Sequence, residues 1–95
     1  MGPMPLLTEA EITSALGALS GWTRAGGEIS KTFELATFPD AIAFVVRIGF
    51  LAEAADHHPD LDVRWRRVLV ALTTHDSGGL TANDFELATN IEKVV

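Results

Sequence analysis

The chain contains no cysteine, which removes disulfide frameworks, thiol nucleophiles and cysteine-based zinc sites together. No apolar run approaches the roughly 18 residues a membrane-spanning helix needs. The N-terminus lacks a basic segment followed by an apolar one, so no secretory signal is expected and a cytoplasmic location is. Met1-Gly2-Pro3 is compatible with an added leader before a natural start at Met4. Basic residues are scarce: 7 Lys and Arg stand against 13 Asp and Glu, for a formal charge of -6. Such a surface repels polyanions, so neither nucleic acid nor an anionic membrane is an expected partner. Arg64, Arg66 and Arg67 form the basic cluster, which reads as a solvated strand edge. Low-complexity tracts are also missing, and 47% of the 95 residues are hydrophobic. The expectation is a single globular domain over residues 1–95, with 1–6 as a flexible N-terminus.

What is present reads as alternating helices and strand pairs. Thr8-Glu9-Ala10-Glu11 has the form of a capping box, with Leu7 and Ile12 placed as its staple. Ile12, Ala15, Leu16 and Leu19 then make one apolar stripe, which Gly21 is expected to stop. Trp22–Arg24 and Ile29–Leu35 flank Ala25-Gly26-Gly27-Glu28 as a hairpin, with Ile29, Lys31, Phe33 and Leu35 on one face. Thr37-Phe38-Pro39-Asp40 opens a second helix expected to run to about Asp56. Ala41, Phe44, Val45, Ile48, Leu51, Ala52 and Ala55 form its core stripe, yet Ile42, Val46 and Phe50 are apolar too. A helix apolar on most sides is buried on most sides, which points to a second subunit as cover.

Leu61–Thr74 reads as a hairpin or a long bent strand, with Val68, Val70 and Leu72 facing one way and Leu69, Ala71, Thr73 and His75 the other. The position of a turn within Asp62–Arg67 is left open. Gly78-Gly79 reverses the chain, and Thr81-x-x-Asp84 caps a last helix with Leu80 and Phe85 as staple. The order α-β-β-α-β-β-α predicts an α+β domain of two layers, a four-stranded antiparallel sheet with helices on one face.

All three histidines fall in two polar clusters at the ends of apolar elements: Glu53-Ala54-Ala55-Asp56-His57-His58-Pro59, and Thr74-His75-Asp76-Ser77-Gly78-Gly79-Leu80-Thr81 followed by Asp84. Glu53 precedes His57 by one helical turn, so the two share a face and Glu53 is placed to orient His57. Pro59 disfavours helix at His58, putting both histidines on turning backbone. Histidine, with an ordinary pKa of about 6.5, offers both acid and base at neutral pH. Each residue also has a plainer reading. Glu53 fits an exposed helix position, Asp84 fits a simple cap, Asp76 a turn, Asp56 and Asp60 loop solvation, and Trp65 either core or a stacking wall. A His-His pair is an awkward chelate because neighbouring side chains diverge, so no metal site is expected.

Glu53-x-x-x-His57-His58-Pro59 followed by His75-x-x-Gly78-Gly79-Leu80-Thr81-x-x-Asp84 resembles the pterin-4a-carbinolamine dehydratases. The resemblance extends to Gly21-Trp22, Phe33, Phe38-Pro39-Asp40-Ala41, Phe44 and Leu87-Ala88. It implies the same two-layer fold, assembly as a dimer or tetramer, and a small-molecule pterin substrate. The implied reaction removes water from a 4a-hydroxytetrahydropterin to give a quinonoid dihydropterin, in tetrahydropterin recycling, with no cofactor. It assigns His57, His58 and His75 to catalysis with Glu53 in support, and Asp84, Pro59, Trp65 and Thr74 to the substrate. The chain departs from the family pattern in having Leu61 where an aromatic is usual, Ala54 for a common lysine and Asn83 where a basic residue is frequent. Two rival readings follow from the same resemblance: a non-catalytic dimerisation or interaction module, as some animal members serve, and another pterin-binding role such as one in molybdopterin metabolism.

Overall fold

A computed structural model describes residues 3–95. The elements are α1 (Glu9–Gly17), β1 (Thr23–Ala25), β2 (Glu28–Glu34), α2 (Phe38–Ala55), β3 (Asp60–Arg64), β4 (Arg67–Leu72) and α3 (Ala82–Glu92), with a short 3-10 turn at His75–Ser77. The expected α+β order is the observed one. Residues 1 and 2 of the N-terminal segment expected to be flexible lie outside the described residues; further along it, the Met4 carbonyl accepts a hydrogen bond from Ser77 Oγ.

Thr8 and Glu11 form the predicted reciprocal cap at the start of α1, and hydrogen bonding from Thr8, its backbone N–H first, holds the Glu11 carboxyl below its ordinary range. The helix ends at Gly17, earlier than the stripe through Leu19 predicts. Ala18 and Leu19 instead close tighter turns onto Ala15 and Leu16, which still delivers Leu19 to the core. Gly26, at φ +60, makes the tight turn of the first hairpin, where Ala25 pairs with Glu28. The second hairpin, which the sequence left open, turns at Trp65-Arg66, since Arg64 pairs with Arg67. Trp65 sits there at φ +53, a conformation uncommon for a bulky residue.

The sheet is antiparallel throughout, ordered β1-β2-β4-β3. The register sets Ile29 opposite Leu72 and Phe33 opposite Val68, and all four are buried. On this face, Phe44 of α2 meets Phe33 edge-on at 4.9 Å, and Phe33 meets Trp22 at 6.0 Å. Lys31 shares the core face of β2, as the alternation predicts. Its ammonium is satisfied by the Ser20 carbonyl, the Glu92 carboxylate and the Phe33 ring.

Helix α2 buries Ala41, Phe44, Ile48 and Ala52, while Val45 and Leu51 are half-buried and Ala55 is exposed. Its other apolar residues are open: Phe38, Ile42, Val46 and Phe50 recur at every fourth position, and Phe50 is 75% exposed. Leu61 and Val63 of the edge strand β3, opposite Val70 and Val68, also stay about a third exposed. No described helix is long and apolar enough to cross a membrane. Phe44→Ala is expected to lower the unfolding free energy by about 3–5 kcal/mol in urea titration, since its ring is wholly enclosed.

Candidate active site

Helix α2 stops where Asp56 adopts a left-handed conformation at φ 48. The Asp56 N–H closes onto the Ala52 and Glu53 carbonyls, and the His57 N–H onto Ala52. Asp tolerates this geometry better than most residues, and Pro59 prevents the helix from resuming. The reversal sends consecutive histidines into different surroundings. The His57 side chain, 11% exposed, turns inward to the first turn of α3, where its Nε2 lies 2.6 Å from Asp84 Oδ1. His58, 59% exposed, faces out and pairs with Glu53 at 2.8 Å. The expected Glu53–His57 pairing is therefore replaced by Glu53–His58, because the helix has already unwound at Asp56 and the one-turn spacing no longer applies.

The second cluster is built around Thr74. Its N–H bonds to the Gly79 carbonyl, and its own carbonyl accepts from Ser77 and Gly78. The loop between is a 3-10 turn closed by Gly78 at φ +76. His75 therefore begins a turn rather than ending β4, and its side chain is exposed. A groove of about 200 Å3 is lined by Asp56, His57, His58, Thr73, Thr74, His75 and Asp76, bringing all three histidines to one depression.

Behind the groove lies a buried polar cluster. Asp84 and Thr81 are fully enclosed and Thr74 is 7% exposed. Asp84 Oδ2 accepts the Thr81 N–H at 2.9 Å and the Thr74 hydroxyl at 2.8 Å. One carboxylate oxygen thus caps α3 while the other holds His57. Asp84 and Thr74, both assigned to the substrate by the resemblance, have those side-chain atoms committed to each other and to His57. Pro59 is half-buried at the exit of the His-His turn.

Trp65 is not brought to the histidines within one chain. It lies beyond the whole of β3 and is 69% exposed, so it is not core either. It lines a larger groove of about 700 Å3 on the open face of the sheet, with Thr32, Asp62, Arg64, Arg67 and Leu69. That groove holds no histidine, and its one carboxylate, Asp62, is paired with Arg64 at 3.2 Å, so the histidine groove is the better candidate for chemistry. Among the described residues, no group of three or more histidine, aspartate or glutamate side chains is arranged to hold a metal ion.

The expected cap of α3 by Thr81 and Asp84 is present, but sequence reasoning missed the His57–Asp84 contact and the buried Thr74–Thr81 hydroxyl pair. The signal available was Asp84 at the third position of a capped helix: a short carboxylate there can cap with one oxygen and keep the other free. Asp84→Ala would leave the Thr81 N–H, the Thr74 hydroxyl and His57 Nε2 without their acceptor. A loss of at least about 2 kcal/mol in urea titration is expected, whereas Glu53→Ala, at the surface, should leave the midpoint in place.

Comparison with known proteins agrees over nearly the whole length. A family model described as "Pterin 4 alpha carbinolamine dehydratase" matches residues 5–94. A protein of Roseiflexus sp., provisionally named a pterin-4-alpha-carbinolamine dehydratase, is 63% identical over 94% of this chain and 96% of its own. A Chloroflexus aurantiacus protein with the same provisional name is 55% identical over 97% and 99%. Among solved structures, one described as a transcriptional coactivator/pterin dehydratase from Brucella melitensis superimposes with a TM-score of 0.91 at 34% identity, covering 94% of this chain and 97% of that one.

Proposed function

This chain belongs to the pterin-4a-carbinolamine dehydratase family, and from that premise we propose that it dehydrates a 4a-hydroxytetrahydropterin. The observation that carries the reading is one groove lined by three histidines, one of them backed by a buried carboxylate. In the reaction, a base takes the proton from N5 as the C4a–O bond breaks, and an acid protonates the departing hydroxyl. A C4a–N5 double bond forms, water leaves, and no electrons are exchanged with a third species. His57, His58 and His75 divide the tasks of base, acid and ring binder. Glu53 supports through His58, Thr74 forms part of the groove wall, and Pro59 fixes the turn that leaves the histidine pair. The product is a quinonoid dihydropterin, which suits a place in tetrahydropterin recycling.

The test is the absorbance change on dehydration of synthetic 4a-hydroxytetrahydropterin. Turnover well above the spontaneous rate is expected, with His57→Ala and His75→Ala each lowering it by about a hundredfold to ten-thousandfold. Addition of a chelator is expected to change nothing. A wild-type rate equal to the spontaneous one would overturn the reading.

A second reading, a non-catalytic interaction module, is favoured by the uncovered apolar stripe of α2 and by the coactivator wording attached to the Brucella structure. The stripe supports a narrower proposal compatible with catalysis: a second copy of the chain covers Ile42, Val46 and Phe50, giving a homodimer or homotetramer. Sedimentation velocity should then show an oligomer for the wild type and a monomer for Phe50→Asp.

A further inference from the structure

The acid/base reading makes no use of Thr81, and it uses Thr74 only as groove wall. Yet these threonines and Asp84 are the buried polar side chains among the described residues. Their contacts form a row. Thr81 Oγ1 accepts the Asn83 N–H at 3.3 Å and lies 2.7 Å from Thr74 Oγ1. Thr74 Oγ1 lies 2.8 Å from Asp84 Oδ2, which also receives the Thr81 N–H at 2.9 Å. Asp84 Oδ1 then lies 2.6 Å from His57 Nε2.

Proton counting sets the direction of every link. A carboxylate has no proton to give, so the single proton of the Thr74 hydroxyl goes to Oδ2. Thr74 must then accept from Thr81, whose single proton is free for this because its contact with Asn83 uses only a lone pair. Two donors converge on Oδ2, an environment complementary to negative charge. The remaining oxygen, Oδ1, can only accept, so the proton of a neutral His57 ring resides on Nε2. The lone pair is left on Nδ1, for which no protein partner exists among the described residues.

We propose that Asp84, with its polarity set by Thr74 and Thr81, is a positioning residue that holds His57 as the Nε2–H tautomer. Nδ1 is then the atom that receives the N5 proton of the substrate. The identity of that proton rests on the dehydratase reading above; the tautomer does not. The order of donors also dictates what an amide does at this position. In Asp84→Asn, the Thr81 N–H and Thr74 hydroxyl still require an oxygen at the inner place. The amide nitrogen therefore faces His57, Nε2 must accept from it, and the ring proton moves to Nδ1.

The experiment is a long-range proton–nitrogen correlation spectrum of the 15N-labelled chain at a pH where the imidazoles are neutral, with His57→Gln used to identify the His57 signals. The wild type is expected to show a protonated Nε2 and a lone-pair Nδ1, and Asp84→Asn the reverse. Activity should follow, with kcat in Asp84→Asn falling by roughly a hundredfold or more while KM stays within a few-fold, because the base atom is occupied by a proton. A wild-type His57 carrying its proton on Nδ1 would overturn the proposal, even if Asp84→Asn failed to fold. So would an unchanged tautomer in a folded Asp84→Asn. Wild-type protein with the expected tautomer but no dehydration would sink the dehydratase reading, and with it the assignment of the N5 proton, while upholding the tautomer.

Discussion

Asp84 is the carboxylate on which the site region is hung. It is fully enclosed, and a buried carboxylate is tolerable only when its oxygens are met by donors. Here the donors come from three places: the Thr81 N–H at the start of α3, the Thr74 hydroxyl in the loop after β4, and His57 just past α2. The same contacts that satisfy the charge therefore bring the ends of three elements together. Packing of the aromatic core through Trp22, Phe33 and Phe44 holds the layers, but it sets no constraint on where the histidines point.

Around that carboxylate the three histidines experience graded surroundings. His57 is nearly enclosed and charge-backed, His58 is exposed with an exposed partner, and His75 is open at the start of a turn. The left-handed residue Asp56 makes this possible. A continuing helix would have placed His57 and His58 about 100° apart on one cylinder, whereas the reversal at Asp56 sends one inward and one outward. Chemistry that needs unlike groups around one small ring is served by such a gradient.

The domain is too small to cover all of its apolar surface. The outer stripe of α2 and the helix-side residues of β3 are left open, and Trp65 projects from the far hairpin. Glu53 lines the open surface beside Val46 and Phe50 and also pairs with His58, so the outer stripe of α2 borders the histidine groove.

Much of this was legible in the residues themselves. Capping boxes at Thr8 and Thr81, the Gly26 turn, the alternation through Val68, Val70 and Leu72 and the break at Pro59 are local rules, written in short stretches of chain. The α+β order followed from them, and the two histidine clusters marked the stretches that meet at one groove. The end of α1 and the turn at Trp65-Arg66 were not legible, because the apolar stripe runs on through the tighter turns at Ala18 and Leu19, and Trp65-Arg66 carries no glycine, proline or asparagine turn signal. The partner of His57 was a different kind of miss. Sequence spacing offered Glu53, one turn away, and that choice assumes the helix persists through His57. Asp84 lies 27 residues further along and meets His57 only when α2, the β4 loop and α3 have packed. Periodicity and capping determined which elements form and which faces they bury, since those depend on neighbours in the chain. Which acid backs which histidine was decided by tertiary structure alone, because a buried charge selects its partners by proximity in space.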